Sequence, residues 1–321
     1  MTPPPIVGHP WPAPAKLNLM LRVLGRRPDG YHCLQTVFQF IDRQDRLFFE
    51  PRDDSRIRRT SGLAEVPEES DLVVRAARLL RDRAGGGGPG VDIRVEKRLP
   101  VGGGLGGGSS DAATTLVALN RIWNVGLSES ELIELGLALG ADVPIFIYGH
   151  AAWGEGVGEV LTPVDLPEPW YLVLVPRCEV ATAAVFSDEE LTRNSVPITM
   201  GSLIAGDDRN DCLAVVRRRY LEVSAALDWL ATVGRPRLTG TGACVFCAFA
   251  TAARARVACS MVPPRFSAFV VRGMNRSSLS EMTRVQGDGR NPACRIAPDF
   301  HSSSSRRDNR RVVNSAHGEL K

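Results

Sequence analysis

Long apolar runs are missing from this sequence. No stretch approaches the roughly 18 consecutive apolar residues that a membrane-spanning helix needs. The first five residues, Met-Thr-Pro-Pro-Pro, contain neither the basic segment nor the apolar core of a secretory signal. From these two absences we expect a cytoplasmic protein.

A charge excess of either sign is also missing. The chain has 39 basic and 36 acidic residues, and nine of the basic but only five of the acidic ones lie from Arg276 onward. The body before Arg276 is therefore close to neutral and lacks the basic surface that nucleic acid or an anionic membrane would require. We expect neither partner, and a chain that is a monomer or a weak homodimer.

Cysteine is present only as an odd, scattered set of seven residues, mostly within apolar segments. This distribution is typical of free buried thiols in a reducing compartment. Cys244 and Cys247 form a CxxC pattern, but no second CxxC or histidine pair accompanies it, so a strand interior is favoured over a metal or redox site. Four histidines also lack metal-ligand spacing: His9, His150, His301 and His317.

The composition is that of a folded protein, with 44% hydrophobic and 23% charged residues, and a length of 321 residues predicts two domains. A first strand is predicted at residues 16–24, where alternating leucine and valine leave Lys16 and Asn18 on one shared face. A turn at 27–30 follows, and further strands are predicted at 37–41 and 46–50.

Helical periodicity predicts a helix over residues 71–83, followed by the glycine-rich segment 85–90, which we interpret as a passive loop. Another helix opens at the capping box 128–131 and ends at Gly140. The composition after Arg276 predicts disorder. Beyond residue 163 the pattern is that of a smaller α+β unit, with strands at 171–175, 243–249 and 268–272 and helices at 212–232 and 252–261.

The most informative segment is residues 100–111, Pro-Val-Gly-Gly-Gly-Leu-Gly-Gly-Gly-Ser-Ser-Asp, between a predicted strand at 91–95 and a predicted helix. We expect Ser109 or Ser110 to cap that helix. A backbone with few side chains that leads into a helix start forms an anion site, because free N–H groups and the helix dipole face the ligand. The segment therefore predicts phosphate binding.

Two other phosphate motifs fit this segment less well. The glycines at 102, 104 and 107 match G-x-G-x-x-G, yet about 100 residues of other structure precede them, and the acidic residues further on belong to a capping box. A Walker A loop requires a lysine where this chain has serines. A dinucleotide-dependent oxidoreductase and a non-catalytic nucleotide-binding regulator stay open as alternative functions.

Four motifs in order carry a resemblance to a known superfamily. They are residues 13–19 with 27–32, 100–110, 139–144 and 238–244. The glycine segment resembles the phosphate-binding motif of the GHMP kinases. The whole set is similar to those members that phosphorylate a cytidine diphosphate-linked methylerythritol in the non-mevalonate isoprenoid pathway. A homoserine- or mevalonate-type kinase is the alternative within the superfamily, and the Tyr31-His32 pair argues against it.

The resemblance implies an α+β fold with two domains. The N-terminal GHMP kinase domain, ribosomal-protein-S5-domain-2-like, would span residues 1–162, and a smaller ferredoxin-like α+β domain would span 163–275. Residues 276–321 have no counterpart in the family, and their composition alone predicts a basic, disordered tail. The resemblance also implies ATP as co-substrate, Mg²⁺ as the metal and phosphorylation of the substrate's 2-hydroxyl.

The same resemblance implies roles for individual residues. Asp142 would be the general base, and Lys16 would neutralise charge beside it and on the γ-phosphate. Tyr31 and Phe186 would stack on the two faces of cytosine, while His32 would hydrogen-bond its edge. The remaining substrate-site residues are Asn18 and Phe38.

The ATP phosphates would lie on the glycine segment. Ser110 is, in addition, a candidate Mg²⁺ ligand through its hydroxyl. One departure from the family is Asp71, near the nucleotide base, where an asparagine is usual. The implied cofactor-binding residues are Lys97, Pro100, Val101, Gly102, Gly103, Gly104, Leu105, Gly106, Gly107, Gly108, Ser109 and Ser110.

Overall fold

The computed structural model describes residues 8–61, 67–86 and 88–285. Several features interpreted from the sequence lie outside these ranges: Gly87, Cys294, His301, His317 and the tail beyond residue 285. Within the described ranges the chain forms ten strands and ten helices.

A long antiparallel hairpin starts the fold. β1 (Trp11–Arg26) and β2 (His32–Arg52) pair along most of their length, and the predicted turn joins them, with Gly30 N donating to Arg27 O at 3.0 Å. The prediction of separate strands at 37–41 and 46–50 was wrong, because both segments belong to β2. The polar residues between them form a bulge rather than a turn, since none of them is glycine or proline.

The rest of the first half packs helices on this hairpin and its neighbouring strands. Asp71 caps the first helix by accepting from Val73 N, and the capping box of Ser128 and Glu131 opens the third, as predicted. The strands are β3 (Ile57–Ser61), β4 (Gly90–Glu96), β5 (Ala152–Glu155) and β6 (Val160–Pro163). The helices are α1 (Leu72–Arg83), α2 (Gly107–Ile122), α3 (Glu129–Leu139) and α4 (Val143–Tyr148).

The second half has strands β7 (Trp170–Val175), β8 (Arg237–Leu238), β9 (Val245–Phe249) and β10 (Ser267–Met274). Its helices are α5 (Thr182–Phe186), α6 (Met200–Ile204), α7 (Leu213–Arg219), α8 (Leu221–Leu230) and α9 (Ala252–Ser260). The single helix predicted at 212–232 is two helices, because Tyr220 takes an extended backbone conformation. The CxxC segment lies in and beside β9 with both thiols buried and free, as predicted. No helix of the described ranges is long and apolar enough to cross a membrane.

One strand order connects both halves: β3-β4-β2-β10-β7-β9-β8, with β1 and β5 also paired to β2. The junction is narrow, because β10 meets β2 only where Gly273 and Met274 pair with Ile41 and Phe40. Apolar clusters fill each half, and a third cluster packs β1 and β2 against β7, β9 and β10. The division of the chain at 162/163 stays a prediction.

The segment after Arg276 corrects an expectation. Disorder was predicted from that residue onward, but α10 (Ser278–Val285) forms and packs against β1 and α4. Leu279 is buried in the core of the first half, and Ser277 Oγ accepts from Ser280 N at 3.0 Å at the helix start. Leu279, the partly buried Met282 and a capping serine hold this short helix on the first half, and composition over the whole tail did not reveal them.

The docking of α10 predicts a stability effect. Replacing Leu279 with alanine should lower the free energy of unfolding by about 2 to 4 kcal/mol, because a fully buried leucine leaves a cavity. Ile204→Ala is the matched control, since Ile204 is 80% exposed and its truncation should cost about 0.5 kcal/mol or less. Urea denaturation of the full chain measures both, and equal effects of the two substitutions would contradict the docking.

Candidate active site

Three adjoining pockets form one groove across the molecule. The helix pocket lies between the start of α1, the end of β4 and the start of α2. The central cleft lies between β1, β2, residues 240–242 and the glycine segment 100–110, which we call the glycine loop. It shares Leu72, Gly107 and Gly108 with the helix pocket. The hairpin pocket lies beside the β1–β2 turn and shares Thr182 and Phe186 with the central cleft.

Lys16 is the charged centre of the central cleft. Its side chain is only 2% exposed, and its ammonium bonds to Asn18 Oδ1, to Gly104 O at 3.2 Å and to Asp142 Oδ2 at 3.1 Å. The contact with Asn18 follows from the strand alternation that the sequence predicts. Burying an ammonium is costly unless acceptors surround it, so these three partners define where its charge can act.

Asp142 is placed by the start of α4. It occupies the N-cap position, but its side chain makes no capping hydrogen bond. The carboxylate therefore faces Lys16 instead of the helix, and it is 38% exposed toward the cleft. A carboxylate with one oxygen on a lysine and access to solvent can accept a proton from a bound hydroxyl.

The glycine loop passes closely against its neighbours. A Cβ at Gly104, where φ is +72°, would lie 2.4 Å from Thr239 O, and one at Gly106 would lie 2.6 Å from the Phe146 ring. Glycine is therefore the residue that both positions accept. The first N–H groups of α2 have no partner within the helix, so they are available to an anion in the cleft.

The helix start differs from the prediction. α2 begins at Gly107 with Gly106 at the N-cap, so the expectation that Ser109 or Ser110 caps the helix was wrong. Both serines lie within the first turn, and successive helical residues point about 100° apart. Ser109 lines the central cleft, whereas Ser110 is fully buried and its Oγ has no hydrogen-bond partner within the part of the chain that the structure describes.

Most of the loop residues expected to bind a cofactor do line the groove. Lys97, Pro100, Val101, Gly107 and Gly108 line the helix pocket. Gly102, Gly104, Gly106, Gly107, Gly108 and Ser109 line the central cleft. Gly103, Leu105 and Ser110 are buried and line none of the three pockets, because their side of the loop packs on the protein. Leu105 belongs to the apolar cluster between the halves.

The ammonium of Lys97 has two carboxylate partners, which the sequence reasoning missed. It bonds to Asp45 and, at 2.7 Å, to Asp111 Oδ2, while Asp45 Oδ1 accepts from Leu99 N at 2.8 Å. Burial lowers the pKa of Lys97, but the two carboxylates outweigh it and the net pKa is raised. Lys97 therefore lines the helix pocket with its ammonium already neutralised. The sequence signal for this contact was Asp111 itself, an acidic residue that directly follows two serines at the start of a helix.

Burial raises the pKa of Asp111 to about 7, although the charge of Lys97 opposes the shift. Asp111 is 5% exposed, and its Oδ1 has no hydrogen-bond partner among the described residues. The charge that Asp111 presents to the helix pocket therefore changes with pH near neutrality.

The hairpin pocket brings together the predicted aromatic residues. Tyr31 is 62% exposed at its rim, whereas His32 is buried and stacks on Phe186 with ring centroids 5.2 Å apart. Arg193 Nε donates to His32 Nε2 at 3.2 Å, and a guanidinium can only donate, so Nδ1 carries the proton of the neutral ring. Burial, together with Arg193 and Arg26, lowers the pKa of His32. His32 thus covers part of Phe186, a contact that the sequence did not indicate.

Threonine hydroxyls complete the central cleft, and no role was assigned to them from the sequence. Thr182 and Thr241 both line it, with their Oγ1 atoms 2.9 Å apart. Asn210 Nδ2 donates to Leu238 O and Gly240 O and so holds the segment that carries Thr241. The repeated Thr-Gly pattern at 239–242, which lies within one of the four motifs that carry the resemblance, was the available signal.

Comparisons with known proteins agree with this arrangement. A family model described as GHMP kinases N terminal domain matches residues 71–150. The 4-diphosphocytidyl-2-C-methyl-D-erythritol kinase of Alkalilimnicola ehrlichii is 55% identical over 278 residues, which cover 87% of this chain and 94% of that relative. A crystal structure of a 4-(cytidine 5'-diphospho)-2C-methyl-D-erythritol kinase matches with a TM-score of 0.71 and 33% identity, covering 83% of this chain and 99% of that one.

A mevalonate kinase structure shares the fold, with a TM-score of 0.62, 15% identity, and coverage of 84% of this chain and 100% of that one. The fold and the glycine loop at the start of α2 thus define a GHMP-type, ATP-dependent small-molecule kinase. Within that class, the chain belongs to the family of 4-diphosphocytidyl-2-C-methyl-D-erythritol kinases. The resemblance carried by the four sequence motifs is confirmed.

The raised pKa of Asp111 predicts a pH-dependent stability. Because the folded state holds this proton more tightly than the unfolded chain, the stability contributed by Asp111 is full below about pH 4 and is lost as the pH rises to about 7. Between pH 5 and pH 8, wild type should lose on the order of 2 kcal/mol relative to Asp111→Asn. Urea denaturation at both pH values measures the difference, and Asp53→Asn, at an exposed carboxyl, is the control. A gap between wild type and Asp111→Asn that does not change with pH would refute this assignment.

Proposed function

We propose that this enzyme transfers the γ-phosphoryl group of ATP to the 2-hydroxyl of 4-diphosphocytidyl-2-C-methyl-D-erythritol, a step of the non-mevalonate isoprenoid pathway. The observation that carries the proposal is the position of the Lys16–Asp142 pair. It lies in the central cleft, with the glycine loop on one side and the aromatic hairpin pocket on the other. An ATP phosphate site and a base-binding site therefore meet at one proton acceptor.

Asp142 acts as the general base in this proposal. Phosphoryl transfer needs an oriented hydroxyl and neutralisation of charge, with little covalent chemistry by the protein. Asp142 Oδ2 contacts the Lys16 ammonium at 3.1 Å, which keeps the carboxylate oriented toward the cleft. Lys16 also stabilises negative charge on the transferred group, since its buried ammonium acts where water screens it little.

ATP binds with its phosphates on the glycine loop and its base in the helix pocket. Gly107 and Gly108, which belong to both pockets, lie at the start of α2, where helix N–H groups and the helix dipole favour an anion. Asp71 lines the helix pocket and is engaged by Val73 N and by Arg59. The residue that departs from the family thus keeps a helix-capping function here.

Mg²⁺ fits the oxygen donors of the central cleft. Ser109 and Asp142 both line it, and Mg²⁺ typically takes one or two protein oxygens together with substrate phosphates. Ser110 fits this role less well, because it is buried outside the cleft. When bound with ATP, the metal supplies charge neutralisation to the phosphates. No cluster of three or more His, Cys, Asp or Glu in the described ranges suits a metal held by protein alone.

The cytidine end of the substrate binds in the hairpin pocket. Tyr31 and Phe186 line this pocket and provide aromatic faces, and His32 presents a protonated Nδ1 that can donate to the acceptor edge of cytosine. Asn18 and Phe38 line the central cleft between this pocket and the glycine loop. A coupled ADP-release assay with 4-diphosphocytidyl-2-C-methyl-D-erythritol, mevalonate, homoserine and galactose tests the proposal. Preference for any of the last three would overturn it.

The role of Asp142 predicts a specific kinetic defect. Asp142→Asn should lower kcat by roughly 10² to 10⁴ while the affinity for ATP changes little, because a base acts in the transition state. Asp165→Asn, at an exposed carboxyl outside the groove, should leave kcat unchanged. The ADP-release assay gives kcat, and calorimetry gives the Kd for ATP. A kcat for Asp142→Asn within threefold of the parent removes this residue from the mechanism.

The aromatic pocket predicts a substrate-specific defect. Replacing Phe186 or Tyr31 with alanine should raise the KM for the cytidine substrate by roughly tenfold, since a stacking face contributes about 1 to 3 kcal/mol. The KM for ATP should stay the same. Phe269→Ala is the control, because Phe269 packs on Arg43 and lines none of the three pockets. If the cytidine KM does not change in either variant, the base binds elsewhere.

A further inference from the structure

Three consecutive carbonyl groups of the glycine loop, at residues 102–104, each accept a hydrogen bond from residues 239–244 of the second half. The bonds run from Ala243 N to Gly102 O, from Cys244 N to Gly103 O and from Thr239 Oγ1 to Gly104 O, each 3.1 Å long. A carbonyl that faced the cleft would repel a phosphate, so this bonding fixes the orientation that an anion site needs.

The hydroxyl of Thr239 has a second partner. It accepts from Asn18 N at 3.0 Å while it donates to Gly104 O, and these directions are forced because an amide N–H only donates and a carbonyl only accepts. Thr239 is completely buried, so no water replaces either bond. One hydroxyl therefore joins β1, at the residue that contacts the Lys16 ammonium, to the glycine loop.

Gly104 O takes part in the contacts of both the Lys16 ammonium and the Thr239 hydroxyl. It accepts from Lys16 Nζ at 3.2 Å as well as from Thr239 Oγ1. The loop cannot turn at Gly104 without breaking a bond to the ammonium, and Lys16 cannot move without losing an acceptor. The geometry thus couples the position of the catalytic charge to the shape of the phosphate site.

We propose that Thr239 is a positioning residue, whose hydroxyl fixes the glycine loop and the Lys16 strand in one arrangement that binds the β- and γ-phosphates of ATP. Thr239 does not line the cleft, so it acts through Gly104 and Asn18 rather than by touching the substrate. This inference rests on the proposed use of the loop for ATP.

The test compares ATP with AMP, which lacks the two outer phosphates. Thr239→Val keeps the shape of the side chain and removes both hydrogen bonds. We expect the Kd for ATP, measured by calorimetry, to rise at least tenfold and kcat to fall at least tenfold, with the Kd for AMP unchanged. Thr239→Ser restores the hydroxyl and should return both ATP parameters to within threefold of wild type.

Thr114→Val is the matched control. Thr114 is also completely buried, and its hydroxyl donates to the carbonyl of Pro12 at 3.1 Å, away from the loop. This substitution should lower the melting temperature, because it also removes a buried hydrogen bond, yet it should leave both Kd values unchanged. If Thr239→Val yields no folded protein, Thr239→Ala gives the same comparison without the bulk of the second methyl group.

Three possible results separate this inference from the proposed function. If wild type binds ATP and Thr239→Val or Thr239→Ala binds it equally well with the same kcat, the positioning role is wrong. If either variant weakens ATP and AMP equally, the effect is general destabilisation, which also overturns the role. A wild-type protein that binds ATP but does not phosphorylate the cytidine substrate contradicts the proposed acceptor and leaves the comparison of nucleotide affinities intact.

Discussion

The burial of one ammonium group organises this enzyme. Lys16 is withdrawn from water, and its acceptors come from three segments far apart in sequence: Asn18 on the same strand, Gly104 in the glycine loop and Asp142 at the start of α4. Because an unpartnered buried charge is so costly, the native arrangement requires all three segments to converge. The central cleft forms where these three segments meet.

The two ends of the groove offer different chemical groups. At one end the start of α2 offers backbone donors and a helix dipole, which suit polyphosphate. At the other end His32, Phe186 and Tyr31 offer rings and one imidazole donor, which suit a nucleobase. The ion pair lies between them, so under the proposed function each substrate binds at its own end and the reacting atoms meet beside Lys16 and Asp142.

Much of this could be predicted where local physics decides the outcome. Strand alternation placed Lys16 beside Asn18, the capping box located α3, and the run of glycines before a helix indicated an anion site. What failed depended on distant partners. The ammonium of Lys97 is engaged by Asp45, more than 50 positions away. Helix α2 begins at Gly107, three residues earlier than a cap at Ser109 would place it, and Ser110 is buried outside the cleft.

The difference between local signals and contacts with distant residues also explains the errors in the predicted fold. No local signal predicts that Leu279 finds a core in the first half, or that Tyr220 interrupts a continuous apolar pattern. Each outcome is decided by packing against residues that sequence periodicity cannot see.

The place of β10 in the sheet has a consequence for synthesis of the chain. This strand, almost the last described part of the sequence, pairs with β7 through residues 267–272 and lies between β7 and β2. Until residues 267–274 have left the ribosome, the apolar strand Trp170–Val175 presents an unpaired edge, which is the kind of surface that recruits other chains into aggregates. About 90 residues separate the two strands, so translation speed over that stretch sets how long this edge stays unpaired.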